Sequence, residues 1–114
     1  MQVSTQTQGR FTIATILDTR MDATIAPQLK HSIAQLINEG HNCIILDISA
    51  VTFMDSSSLG ALVSLLKMLG NRGDLIITGA RGIVADLFKL TRMDRVFRMA
   101  VDVDTALGAS LATA

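Results

Sequence analysis

The chain has 114 residues but no tryptophan, no tyrosine, one cysteine, one proline and two histidines. Aromatic residues make up 4% of it. A platform that stacks bases of single-stranded nucleic acid needs more aromatic faces than that. The lone Cys43 cannot form an internal disulfide, which fits a reducing compartment. It opens the apolar run Cys43-Ile44-Ile45-Leu46 and reads as buried packing. His31 falls on a helical pattern and His41 in a loop, and with one distant cysteine they give no metal-ligand spacing. No metal and no cofactor is implied. Ten basic side chains balance ten acidic ones, so no net field draws the chain to nucleic acid or to an anionic membrane. Arg92, Arg95 and Arg98 form a local basic cluster that reads most simply as a solvated face. No apolar stretch reaches the ~20 residues that span a bilayer, so no membrane insertion is expected. The polar opening Met1-Gln2-Val3-Ser4-Thr5-Gln6 lacks the layout of a signal peptide. A cytoplasmic protein is expected. No phosphate-binding glycine loop is present, and Gly79-Ala80-Arg81-Gly82 is too short a match to count. The acidic residues are scattered, with no pair placed for general acid and base work.

What is present is a core. Hydrophobic residues make up 49% of the chain, enough for one buried interior, and residues 1–114 read as a single domain. Gln2–Gln8 and Phe11–Leu17 have strand character and flank a Gly9-Arg10 turn. Thr24–Glu39 places Ile25, Leu29, Ile33, Leu36 and Ile37 on one helical face, with Pro27 in the first turn and Gly40 at the end. Cys43–Ile48 reads as a buried strand. Ser56–Asn71 is helical, with Leu59, Leu62, Val63, Leu66 and Leu69 on its inner stripe. Leu65 and Met68 fall off that stripe, which marks either a partner surface or a helix buried on two sides. Leu75–Thr78 is a buried strand. Gly82–Leu90 places Ile83, Leu87 and Leu90 on a helix face. Val96–Met99 is a short final strand, and Asp104-Thr105 can cap a last helix rich in alanine and leucine. Strands alternating with helices predict an α/β fold with a largely parallel sheet.

One segment stands apart: Val51-Thr52-Phe53-Met54-Asp55-Ser56-Ser57-Ser58-Leu59-Gly60. It joins a strand to a helix, and Asp55 or Ser56 can cap the helix, a contribution of ~1 kcal/mol. Capping does not require three consecutive serines, nor an exposed Phe53-Met54 leading into them. A serine at a helix start faces solvent, and the unpaired N–H groups there tolerate an added anion. Phosphate on Ser56 would add a charge of roughly −1.5 to −2 beside Asp55. Such a change spares the fold and obstructs a partner seated on the helix end. That predicts a binding switch.

The run Asp47-Ile48-Ser49-Ala50-Val51-Thr52-Phe53-Met54-Asp55-Ser56-Ser57, followed by Leu59-Gly60, is close to the central motif of one family. The chain resembles the STAS-domain anti-sigma factor antagonists of bacteria over nearly its whole length. The resemblance implies a single STAS domain: a four- to five-stranded mixed β-sheet packed with about four α-helices, mostly to one side. It implies partner switching, in which the unmodified protein binds a serine kinase that doubles as an anti-sigma factor. Phosphorylation at the serine after the motif's aspartate, here Ser56, abolishes that binding, and a PP2C-type phosphatase restores it. Asp22, in the turn before the first helix, occupies a family position that meets the kinase. The implied partner surface is Asp22, Asp55, Ser56, Ser57, Ser58 and Leu59. Two departures stand out. The family often has glycine where this chain has Ser58, and in the earlier turn where it has Thr19. A monomer or a weak dimer is expected.

Two other classes compete. Related STAS domains serve as accessory subunits or cytoplasmic tails of membrane transporters, and the switching circuit also controls non-sigma outputs such as biofilm formation. The self-contained length and the Asp55-Ser56 pair favour the antagonist. An enzyme using Ser56 as nucleophile would need a nearby base. His31 and His41 are not placed to supply one, so no catalytic activity is expected.

Overall fold

A computed structural model describes residues 2–113, with side chains described through residue 108. Strands β1 (Val3–Gln8) and β2 (Phe11–Ile16) form an antiparallel hairpin. Its two-residue turn is led by Gly9 at φ 61°, the sign that tight hairpins demand. A two-residue strand, β3 (Arg20–Met21), leads into helix α1 (Ala26–Asn38), which carries Pro27 in its first turn. Strand β4 (Cys43–Asp47) is followed by another two-residue strand, β5 (Phe53–Met54), and helix α2 (Ser56–Leu69). Then come β6 (Asp74–Thr78), α3 (Gly82–Leu90), β7 (Arg98–Ala100) and α4 (Val103–Thr113).

Five strands form one mixed sheet in the order β1-β2-β4-β6-β7. β1 runs antiparallel to β2, and the other neighbours are parallel. Strand periodicity divides the core between the two sheet faces. Ala14, Ile16, Ile44, Leu46, Leu75 and Ile77 pack with α1, α2 and α3. Phe11, Ile13, Ile45 and Ile76 face the other way and meet Ala106 of α4. The central strands are apolar on both faces because both faces are covered.

Several helical faces differ from the periodic reading. On α2 the buried positions are Ser58, Leu59, Ala61, Leu62, Leu65 and Leu69. Leu65 is therefore core, and Met68 is half-buried against it, so of the two readings the helix buried on two sides holds and the partner surface does not. The stripe turns toward these positions because α2 packs on α1 as well as on the sheet. On α3 the core residues are Val84 and Phe88, while Ile83 and Leu90 are exposed at 65% and 83%. Burying Phe88 removes more apolar area than burying Ile83, and its ring meets Phe97 edge-on at 6.0 Å. The expected strand at Val96–Met99 starts later, at Arg98, after a 3-10 turn over Met93–Arg95. Asp102, not Asp104 or Thr105, caps α4, accepting from the Thr105 N–H at 2.7 Å. Cys43 is half-buried beside the smaller core. The alanine- and leucine-rich end of α4 lies beyond the described side chains.

Candidate functional site at the start of the second helix

The sequence Met-Asp occurs three times, at residues 21–22, 54–55 and 93–94. The fold sets the first two copies side by side: β3 and β5 pair in parallel, with Arg20 opposite Phe53 and Met21 opposite Met54. Both methionines point into the core. Their burial explains Met54, which the sequence reading placed in solvent, and Phe53 is half-buried. The Arg20 guanidinium lies over the Phe53 ring at 4.3 Å. Upstream, the Thr19 carbonyl accepts from the Thr52 N–H at 2.7 Å, the Thr52 hydroxyl at 3.1 Å and the Phe53 N–H at 3.3 Å. The turn before α1 and the turn before α2 are thus one bonded unit.

Asp55 is the N-cap of α2, in extended backbone conformation. One carboxylate oxygen accepts from the Ser58 N–H at 3.2 Å, and the other accepts from the Ala23 N–H at 3.1 Å. Its carbonyl accepts from Leu59 N–H, and its own N–H donates to the Met21 carbonyl. One carboxylate therefore caps its helix and ties that helix to the neighbouring turn. Ser56 and Ser57 follow as the first two residues of α2, both exposed. As such their N–H groups have no acceptor within the helix.

Asp22 is half-buried beside them. It accepts from the Thr24 hydroxyl and, at 3.0 Å, from the Thr24 N–H, and it pairs with Arg20 at 3.5 Å. The Thr24 bonds, with a smaller contribution from Arg20, hold its carboxyl below the usual carboxylate value. Its backbone carbonyl accepts from the N–H groups of Ile25 and Ala26.

The expected partner residues divide. Asp22, Asp55, Ser56 and Ser57 come together at the surface. The side chains of Ser58 and Leu59 lie inside, at 0% and 6% exposure, and a partner cannot reach them on the intact surface. The Ser58 hydroxyl donates to the Asp22 carbonyl at 3.4 Å, so this serine fastens the two turns. The other departure, Thr19, is equally well accommodated. Among the described residues only Arg92 combines a side chain with positive φ, so Thr19 occupies a conformation open to any residue. Sequence reasoning passed over Arg20, Thr24 and the backbone of Ala23. The Met-Asp shared by the two turns did not single out that pairing, since a third copy at residues 93–94 lies outside it.

His31 is exposed on α1, and His41 accepts from or donates to the buried Thr12 hydroxyl through Nδ1 at 2.8 Å. Neither belongs to this site. Among the described residues no group of three or more His, Cys, Asp and Glu is placed to hold a metal ion, and no helix is long and apolar enough to cross a membrane.

The features so far define a class: a helix-backed mixed-sheet domain whose polar focus is a pair of exposed serines between two anchored aspartates. The chain belongs to the STAS domain family, whose model matches residues 2–106. Its curated relatives include the anti-sigma-B factor antagonist of Staphylococcus aureus strain NCTC 8325, 28% identical over 92 residues, which are 80% of this chain and 84% of the relative. The fold is that of a solved anti-sigma factor antagonist from Mycobacterium paratuberculosis, at TM-score 0.86 and 24% identity, covering 95% and 92% of the two chains. It is also that of the Bacillus cell fate determinant SpoIIAA, solved in its phosphorylated form, at TM-score 0.71 and 18% identity, covering 96% and 99%.

Proposed function

We propose that this chain is a partner-switching regulator of the anti-sigma factor antagonist type, with Ser56 as its phosphate acceptor. The unphosphorylated form binds a serine kinase that serves as anti-sigma factor. Phosphate on Ser56 abolishes the complex, and a PP2C-type phosphatase restores the binding form. The observation that carries this reading is the exposed Ser56 hydroxyl on the first residue of α2, with the cap already supplied by Asp55. A serine that capped its own helix would lose a stabilising bond when modified. Ser56 is relieved of that duty, so a dianion can be added without breaking the helix start. The first-turn N–H groups and the helix dipole favour an anion there, which offsets repulsion from Asp55.

The same charge acts differently in a complex. A partner seated over Ser56, Ser57, Asp22 and Asp55 would have to desolvate a dianion among carboxylates. Setting like charges against one another in an interface costs on the order of several kcal/mol. The kinase's output is a sigma factor or another regulated process fed by the same circuit. No catalytic step is proposed for the chain: the neighbouring carboxylates of Asp55 and Asp22 are taken up by the N–H groups of Ser58, Ala23 and Thr24.

Intact-mass measurement after incubation with candidate kinases and ATP, with the modified peptide sequenced, tests the acceptor directly. One added phosphate on Ser56 is expected. Ser56→Ala should keep the fold and bind the kinase constitutively, and Ser56→Asp should bind it more weakly. Equal affinities for all three proteins in a titration would defeat the reading, as would phosphate found only on Ser57.

A further inference from the structure

We propose that the kinase's footprint extends from the serines down the groove between α1 and α2, and that an acidic side chain of the kinase pairs there with Lys30. This rests on the partner-switching reading of Ser56 and adds to it where the partner lies and which charge it carries. The groove holds about 420 Å³ and opens beside the serines, since Ser57 belongs to both. Ser57, Gly60 and Ser64 line it from α2, and Ala26 and Lys30 from α1. Both sets recur at the three- and four-residue spacing that puts positions on one helix face. Ala23, whose N–H donates to Asp55, lines the end nearest the two aspartates.

Gly60 is a cost to the fold that the fold does not explain. Glycine inside a helix is less favourable than alanine, because its backbone loses more freedom on folding. Nothing among the described residues requires it at this position. Its φ is not positive, and a Cβ built there would meet no atom within 4 Å. Gly73 is the contrast, since a Cβ there would strike backbone. The bare backbone of Gly60 is exposed in the groove. A helix that forgoes a side chain where there is room for one leaves space for another chain to approach its backbone.

Lys30 gives that chain a charge. It is exposed, it belongs to neither ion pair of the described residues, and no carboxylate is among the described residues that line the groove. At the mouth stand Asp22 and Asp55, so the footprint runs from negative at the serines to positive one turn into α1. A segment seated along it must be acidic where it passes Lys30. Complementarity of this kind fixes register and selects among partners. An anionic membrane or a nucleic acid, which would also seek Lys30, meets the two carboxylates at the mouth.

Titration of the full chain with the kinase that modifies Ser56 tests this, with the melting temperature of each variant measured alongside. Gly60→Ala should raise the melting temperature by a few degrees, because helix propensity improves. It should weaken kinase binding at least ~10-fold, because the new methyl group stands where the partner packs. Lys30→Glu should also weaken binding at least ~10-fold without lowering the melting temperature, and the loss should shrink as salt rises. A Gly60→Ala protein that melts lower shows that the fold requires the glycine, and overturns the proposal. So does native-like binding by either variant, and if Ser56→Asp is weakened in the same titration, the switch at Ser56 stands without the groove. Weak binding by both variants with native-like binding by Ser56→Asp supports the groove and defeats the switch.

Discussion

Asp22 and Asp55 are two carboxylates with different work, and their hydrogen bonds separate them. Asp55 accepts from the Ser58 and Ala23 N–H groups and so joins two elements. Asp55→Ala should lower stability by at least ~1 kcal/mol, the usual cost of a lost cap. Thermal unfolding should register that as a fall of about 4–8 °C for a domain of this size. Asp55→Asn keeps an acceptor and should recover most of the loss. Asp22 instead closes a local turn through Thr24, and those bonds with Arg20 lower its pKa from 3.8. The sign follows from linkage: stability from the ionised group is full above 3.8 and disappears as pH falls through the depressed value. An NMR titration should find the Asp22 midpoint below that value, and Thr24→Ala should move it upward. A midpoint unmoved by that substitution would remove Thr24 as the cause. Much of this was legible beforehand. An acidic residue before three serines announces a cap, and it does not announce which carbonyl or N–H across the fold will share the carboxylate. Ser58 is the clearest case, since its neighbours Ser56 and Ser57 are exposed and nothing in the triplet itself says that the third turns inward.

At the scale of elements, the strands and helices were readable and their faces less so. Every main strand carried β-branched or apolar runs, and α1, α2 and α3 kept a 3.6-residue pattern, while α4 was read from a cap and its alanine- and leucine-rich composition. The two short strands β3 and β5 escaped because two residues hold no periodicity. Helices α2 and α3 are rich enough in apolar residues that more than one face fits the pattern, and tertiary packing decides. For α2 that choice buries Leu65 completely, and for α3 it leaves Leu90 exposed at 83%. The substitutions Leu65→Ala and Leu90→Ala therefore make opposite forecasts from the same chemical change. The first should cost ~2–5 kcal/mol through lost burial and a cavity. The second should stay within about 0.5 kcal/mol, as surface changes do. Urea unfolding of the two variants checks this. A severe loss at Leu90 would mean that the exposed face of α3 is covered in solution.

Across the whole molecule, the serine surface at the start of α2 and the start of the central sheet lie at opposite ends. β4 and β6 run parallel at the centre, with Cys43 opposite Asp74 and Asp47 opposite Thr78, and both helices of the site pack on their upper face. Their register is set where β6 begins. The Asp74 N–H donates to the Asn42 carbonyl at 2.9 Å, and Gly73 lies so close that a Cβ there would be 1.7 Å from the same oxygen. No side-chain rotation relieves such a clash, because the obstructing atom is backbone. Glycine is required at this point for close approach, not for an unusual φ, since its backbone is extended. Gly73→Ala must push β6 away from β4 at its first residue, and the strain should cost at least ~1–3 kcal/mol, in the range of overpacked interiors. Because the displacement starts at the end of the sheet opposite Ser56, the two effects can be told apart. Equilibrium unfolding should show a clear loss of stability. Kinase binding by the fraction that remains folded should be unchanged, because Asp22, Asp55 and Ser56 are held together by bonds that β6 does not make. A stable Gly73→Ala protein would show that β6 can start elsewhere, and weakened binding without lost stability would show that the sheet communicates with the serine surface.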